Sequence, residues 1–199
     1  MLALNNKTKR SRYRPLLFGV IFIFLVSGLY ILSLMLSPSI APLVVQKPIV
    51  VTELPTPIAS DNRIVIPKLG VNIHYAPGEA SLDRGAQWRY PERGNPELGG
   101  NFIIAAHRFS IQPTPMGTIE KSQFYNLDKL TVGDKIIVDY KGTRSAYDMN
   151  KKFDVNASDV SVENNSDNPM LTLYSCELGG SDAGRIVVTA LPMGKVALD

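Results

Sequence analysis

The 199-residue chain reads as a mainly β protein, a closed barrel or a sandwich with short helices, set behind one N-terminal membrane-spanning helix. Two observations predict this. From Arg63 onward the chain carries seven or eight short runs rich in Val, Ile, Thr and Tyr, punctuated by Gly, Pro and Asn, which is the pattern of an all-β domain. Ahead of them, Leu16 to Leu36 run for 21 positions without a charge. At about 1.5 Å per residue that length crosses a hydrocarbon core of roughly 30 Å.

Residues 1–15 form a basic flank with Lys7, Lys9, Arg10, Arg12 and Arg14 and no acidic residue. Positive flanks stay cytoplasmic, so the N-terminus is expected inside and everything after the apolar run outside, as a single-pass protein of the cell membrane. A cleaved signal peptide has a shorter apolar region and a small-x-small site. Ser37-Pro-Ser-Ile-Ala-Pro42 offers a poor one, so residues 16–36 are expected to be an uncleaved anchor. Pro38, Pro42, Pro48, Pro55 and Pro57 then predict an extended stalk over residues 37–61.

The folded domain is expected over 62–199. Its strands are predicted at 63–66, 71–75, 102–106, 135–140, 144–149, 153–156, 170–175 and 185–190, from β-branched and aromatic runs between turn residues. Residues 81–88 are expected as a helical turn or two capped by Ser81, residues 90–100 as loop, and 117–130 and 157–162 as short helices. No repeat appears, and Gly99-Gly100 lacks the spacing and following helix of a phosphate loop.

Charge excludes one class of partner. Of 21 Lys and Arg residues, five sit in the N-terminal flank, leaving sixteen against 18 acidic side chains and a net −2 for the rest. Nucleic-acid binding needs a clustered basic face, and none is expected here. One cysteine and two distant histidines do not make a zinc pattern, and Glu120, Asp128 and Asp159 do not make a calcium loop, so no metal and no cofactor are expected.

Cys176 is the only cysteine, placed at the end of the run Leu171-Thr-Leu-Tyr-Ser-Cys176. Outside the cell a lone thiol is intermolecular, buried and inert, or reactive. A reactive one needs a group to take its proton and donors for the oxyanion it creates. His107, at the end of Phe102 to Ala106, is a general acid/base candidate, and Arg185 offers a fixed fork of charged donors. Each also has a plain structural reading: His107 as a core histidine, Arg185 as a partner of Glu177 or Asp182. The second histidine, His74, lies in an alternating strand and is read as a surface or packing residue.

Leu171-Thr-Leu-Tyr-Ser-Cys176 resembles the TLxTC signature of sortases, the membrane-anchored cysteine transpeptidases of bacterial envelopes. Ile66-Pro-Lys-Leu-Gly-Val71 is similar to the family's IPKIGV strand, and Gly100-Asn-Phe-Ile-Ile-Ala-Ala-His-Arg108 to its GNxVIAGHR strand. Phe124 to Asp134 is similar to FxxLxxLxxGD, and Arg185-Ile-Val-Val188 to the strand opened by the family arginine. The blocks keep family order across about residues 63 to 192.

The resemblance implies an eight-stranded β barrel with Cys176 as nucleophile, His107 as general acid/base and Arg185 as oxyanion or substrate-positioning cation. It implies the Glu177 backbone N–H as a second oxyanion donor, with Ser175 and Thr172 supporting. The implied reaction cleaves an LPxTG-like sorting signal on secreted proteins, forms a thioester, and passes the acyl group to an amine of a peptidoglycan precursor or cross-bridge. Ser175 stands where the family usually has Thr, and Ala106 where it has Gly, which bears on substrate preference. The chain shows no C-terminal apolar run and no Asp-Pro-Trp or Asp-Pro-Phe lid, which implies a single-anchor, wall-attaching type. Two other readings stay open: a hydrolase that resolves the thioester with water, and an anchored peptide-binding β domain without activity. An L,D-transpeptidase places Ser-His-Gly before its cysteine, and Tyr174-Ser175-Cys176 does not fit.

Overall fold

A computed structural model describes residues 13–44, 48–83 and 85–196. Most of the basic flank lies outside the described residues. An N-terminal helix, α1 (Arg14–Val44), is followed by strands β1 (Arg63–Ile66), β2 (Val71–Pro77), β3 (Ala86–Arg89), β4 (Gly94–Asn95) and β5 (Gly99–Ala105). Then come helix α2 (Pro115–Lys121) and strands β6 (Lys135–Tyr140), β7 (Thr143–Val155), β8 (Met170–Glu177) and β9 (Gly180–Lys195).

The strands follow the order β3-β2-β1-β6-β7-β9-β8-β5-β4, and a further β3–β5 pairing joins the ends. Eight strands thus close into a barrel, with the two-residue β4 appended to β5. Closure removes sheet edges that would otherwise present unpaired N–H and C=O groups. Inside, alternate residues of each strand meet in one apolar core, among them Ile64, Ile66, Phe102, Ile104, Ile136, Val138, Leu171, Leu173, Ile186 and Val188. Trp88 sits at its aromatic centre, edge-on to Tyr75, Phe102 and Tyr140 at centroid distances of 6.1, 5.7 and 5.7 Å.

Several elements differ from expectation for identifiable reasons. Part of the predicted helical stretch 81–88 is strand β3, whose Ala86, Gln87 and Trp88 are buried between parallel pairing with β2 and antiparallel pairing with β5, the closing seam. The two strands expected over 144–156 are one, β7, in which irregularities at Ala146/Tyr147 and Met149/Lys151 absorb the polar Asn150-Lys151-Lys152 interruption. The helix expected over 117–130 is shorter and starts earlier, at Pro115, where Thr114 Oγ1 caps the Gly117 N–H at 3.1 Å. Turns and a 3-10 turn at Leu127–Lys129 make up the rest of that stretch, and another 3-10 turn, at Ser161–Glu163, takes the place of the helix expected over 157–162. The expected loop 90–100 contains β4 and the start of β5. There Gly100 takes φ +75, and a Cβ on it would meet the Arg93 carbonyl oxygen at 2.2 Å.

Residues 37–61, expected as an extended stalk, are placed differently. α1 continues through Pro38 and Pro42 to Val44, with Leu34, Ser37 and Ala41 buried. An interior proline costs a helix roughly 3 kcal/mol. Contact with the barrel domain offsets it, and Ser39 Oγ lies 2.8 Å from the Tyr125 hydroxyl. Residues 48–61 then run along the barrel. The Ile49 N–H donates to the Pro67 carbonyl at 3.2 Å, and Arg144 Nη2 donates to the Pro55 carbonyl at 2.8 Å. Arg144 also forks onto Asp139, its cross-strand neighbour, through two bonds of 2.7 Å, with only 3% and 5% of the two side chains exposed. Residues 14–41 of α1 are long and apolar enough to span a membrane.

Candidate active site

Three neighbouring strands, β5, β8 and β9, carry the site. β5 and β8 run parallel, with Ala105 opposite Tyr174. The pairing extends one step further, since the Ala106 N–H donates to the Tyr174 carbonyl at 3.4 Å and Ser175 Oγ donates to the Ala106 carbonyl at 2.9 Å. His107 and Cys176 each stand two residues past the Ala105–Tyr174 pair, so strand alternation puts both on the face those two share. On the other side of β8, antiparallel pairing sets Cys176 directly opposite Arg185. The register breaks immediately afterwards, between Cys176 and Glu177.

The shared face is the outer one. Ala106, Leu173 and Ile186 point into the barrel core, whereas Ile103, Ala105, Tyr174 and Val187 form a second apolar cluster outside it. His107, Cys176 and Arg185 continue that outer face at the end of the strands. Cys176 is exposed, and His107 and Arg185 are half-buried. Arg185 Nη1 donates to the Ala157 carbonyl, which ties the guanidinium to the loop following β7.

Burial lowers the pKa of His107 below the ordinary value of 6.5; the nearby Lys121 cation pushes it the same way, and Asp83 opposes both. Burial and Lys121 thus favour the neutral ring, the form that accepts a proton from a thiol. Of the supporting residues, Ser175 is locked to the Ala106 carbonyl. The Thr172 hydroxyl donates to Asn101 Oδ1 at 2.6 Å, four residues before Cys176. Asn101 Nδ2 in turn holds the Val162 and Asn164 carbonyls at 3.1 and 2.8 Å. The second histidine, His74, lies on β2 against Asp61 at 3.0 Å. Burial would raise the Asp61 pKa, but the His74 and Arg63 partners lower it.

The residues missed in the sequence surround Glu163. Its carboxylate, in a residue only 7% exposed, accepts from the Tyr174 hydroxyl, from the Tyr90 hydroxyl at 3.1 Å, and pairs with Arg89 Nη2 at 2.9 Å. Arg93 stacks over the Tyr90 ring at 3.8 Å and donates to the Glu163 carbonyl oxygen. Tyr90 holds φ +48 to serve both, a conformation uncommon outside glycine. Burial, and then Glu163, push the Tyr174 hydroxyl pKa upward, so it stays a donor. This cluster fastens the β7–β8 loop to the outer face, two residues below the nucleophile candidate. No local sequence signal marks it, because its members come from residues 89–93, 163 and 174. Among the described residues, no group of three or more His, Cys, Asp or Glu side chains is placed to hold a metal ion.

The architecture has known counterparts. A family model described as Sortase domain matches residues 64–193. The Clostridium perfringens Sortase D5 transpeptidase is similar at 28% identity and a TM-score of 0.55, over 67% of this chain and 79% of that one. Sortase E1 from Streptomyces coelicolor, solved with a tripeptide in its active site, is 22% identical with a TM-score of 0.56, over 68% and 88% of the two chains. Listeria monocytogenes sortase A is 22% identical with a TM-score of 0.54, over 70% and 92%. Among curated proteins, none matches.

Proposed function

This chain belongs to the sortase family, and from that premise we propose that it cleaves LPxTG-like sorting signals through a thioester on Cys176 and transfers the acyl group to a cell-wall amine. The observation that supports the reading is the strand register: β8 lies between β5, which leads into His107, and β9, and Cys176 stands opposite Arg185.

In the proposed reaction His107 takes the thiol proton as Cys176 Sγ attacks the carbonyl carbon of the scissile Thr–Gly bond. The oxyanion faces the Arg185 fork, with the Glu177 backbone N–H as the second donor. Because one arm of the fork is held by the Ala157 carbonyl, the guanidinium is oriented before substrate arrives. Collapse expels the glycine amine, which receives the proton from His107, and leaves the thioester. A peptidoglycan precursor or cross-bridge amine then attacks the thioester carbonyl and gives its proton to His107, which passes it to the departing Cys176 thiolate and restores the starting state. Ser175 supports this by fixing β8 to the residue before His107, and Thr172 by holding Asn101 and the loop it clamps. The basic flank before α1 orients the N-terminus to the cytoplasm and the barrel to the cell exterior, where such substrates are found.

The test is intact mass spectrometry of the full chain in detergent micelles with a panel of LPxTG-like peptides. Cys176 gains the mass of the acyl fragment, Cys176→Ala and His107→Ala gain nothing, and Arg185→Lys loses most of the signal because a point charge cannot reproduce the fork. Turnover by the Cys176→Ala protein would overturn the assignment. Cys176 is exposed, so water competes with the amine for the thioester. Product analysis with and without added oligoglycine separates transfer from hydrolysis.

A further inference from the structure

The segment Phe109 to Ile119 links the His107 strand to α2 and contains no charged residue. Its tip displays Ile111 and Met116, which are 54% and 50% exposed. Part of its backbone is satisfied within the segment and its surroundings. Pro113 and Pro115 have no N–H, and the amides of Ser110 and Gln112 donate to Ser122 Oγ and Thr118 Oγ1 at 3.1 and 3.0 Å. Those of Gly117 and Thr118 donate to Thr114 Oγ1 and the Thr114 carbonyl at 3.1 and 2.9 Å. Exposed apolar side chains on an uncharged segment suit the headgroup–acyl boundary, where amides without a protein partner still meet water and headgroups.

An independent contact places this loop at a depth. The Tyr30 hydroxyl of α1 donates to the Pro113 carbonyl. Tyr30 is sixteen residues after Arg14, about 24 Å along the helix axis. If Arg14 marks the inner headgroups, Tyr30 falls inside a hydrocarbon core of roughly 30 Å, close to its outer edge. Tyrosine at that level sends its hydroxyl toward the headgroups. A loop bonded to it lies at the same boundary.

We propose that residues 109–119 form a second membrane contact, with Ile111 and Met116 seated between the headgroups and acyl chains of the outer leaflet that α1 crosses. His107 is two residues before Phe109, so the site opens beside the lipid. On the reading above, this favours an acyl acceptor or donor still tethered to the membrane over one free in solution.

The proposal is tested on the full chain in lipid nanodiscs, in a Cys176→Ala background that leaves no other thiol. Single changes Ile111→Cys, Met116→Cys and Leu98→Cys carry an environment-sensitive fluorophore. Leu98 is 86% exposed and precedes β5, at the end of that strand away from His107. The expected result is blue-shifted emission at 111 and 116 with strong quenching by lipids nitroxide-labelled near the headgroup, and neither effect at 98. All three residues are exposed, so the substitutions leave the core intact. Quenching at 111 and 116 no greater than at 98 overturns the proposal. The readout involves no turnover, so a failure of the transpeptidase reading would leave it unchanged.

Discussion

Strand β8 has two faces that are stabilised in different ways. Inward, Leu171 and Leu173 join a nearly continuous apolar core, where the stabilising term scales with buried area and has no direction. Outward, Thr172 and Tyr174, ahead of Cys176, meet a polar frame of Asn101, Glu163, Tyr90 and Arg89, whose hydrogen bonds are directional. The inner face decides whether the barrel forms. The outer face decides where the thiol, the imidazole and the β7–β8 loop stand within it.

That contrast is open to attack. The largest effect is expected from Leu173→Ala, which should cost about 2–5 kcal/mol of stability in urea unfolding, while the molecules that remain folded form thioester at near-normal rates. Unchanged stability with lost chemistry would erase the distinction between the faces. Glu163→Gln should cost less stability, about 1–3 kcal/mol, because it weakens an anchored carboxylate without opening a cavity. It should nonetheless lower peptide kcat/KM by about tenfold or more, through a displaced loop. A loss of activity no larger than the unfolded fraction explains would assign Glu163 to stability alone.

The smallest effect concerns Lys121→Met. Removing that cation takes away one of the influences that lower the His107 pKa, so its imidazole NMR titration should move up toward 6.5. The sign for stability follows from proton binding. A folded pKa below 6.5 means the unfolded chain binds the proton more readily, so stability linked to the neutral ring is complete above 6.5 and is lost as pH falls below it. Lys121→Met should reduce that loss, read as a flatter Tm-against-pH curve in mildly acidic buffer.

Two of the three candidate residues, His107 and Cys176, were legible because they close β-branched runs, Phe102 to Ala105 and Leu171 to Tyr174; Arg185 lies inside the longer β9 and was read from the run that follows it. Their convergence was not derivable from spacing. It depends on β8 lying between β5 and β9, and the resemblance to sortases stood in for that knowledge. β3 escaped notice because four residues, buried by non-local pairing, carry little periodicity of their own. Glu163 escaped for a related reason: a glutamate in a turn looks solvated until an arginine and two tyrosines from distant segments close over it. The C-terminal third of α1 ran against local preference, since Pro38 and Pro42 mark a helix end unless tertiary contact overrides them.

The bond from Arg144 to the Pro55 carbonyl bears on how a soluble form of this enzyme is cut. A boundary at residue 62, where the sequence reading starts the domain, deletes that acceptor and bares one side of a buried ion pair. A fragment beginning at residue 48 keeps the strap and should be the more heat-resistant of the two. Residues 48–61 thus behave as a strap laid along the barrel, and trimming them loosens the wall they hold.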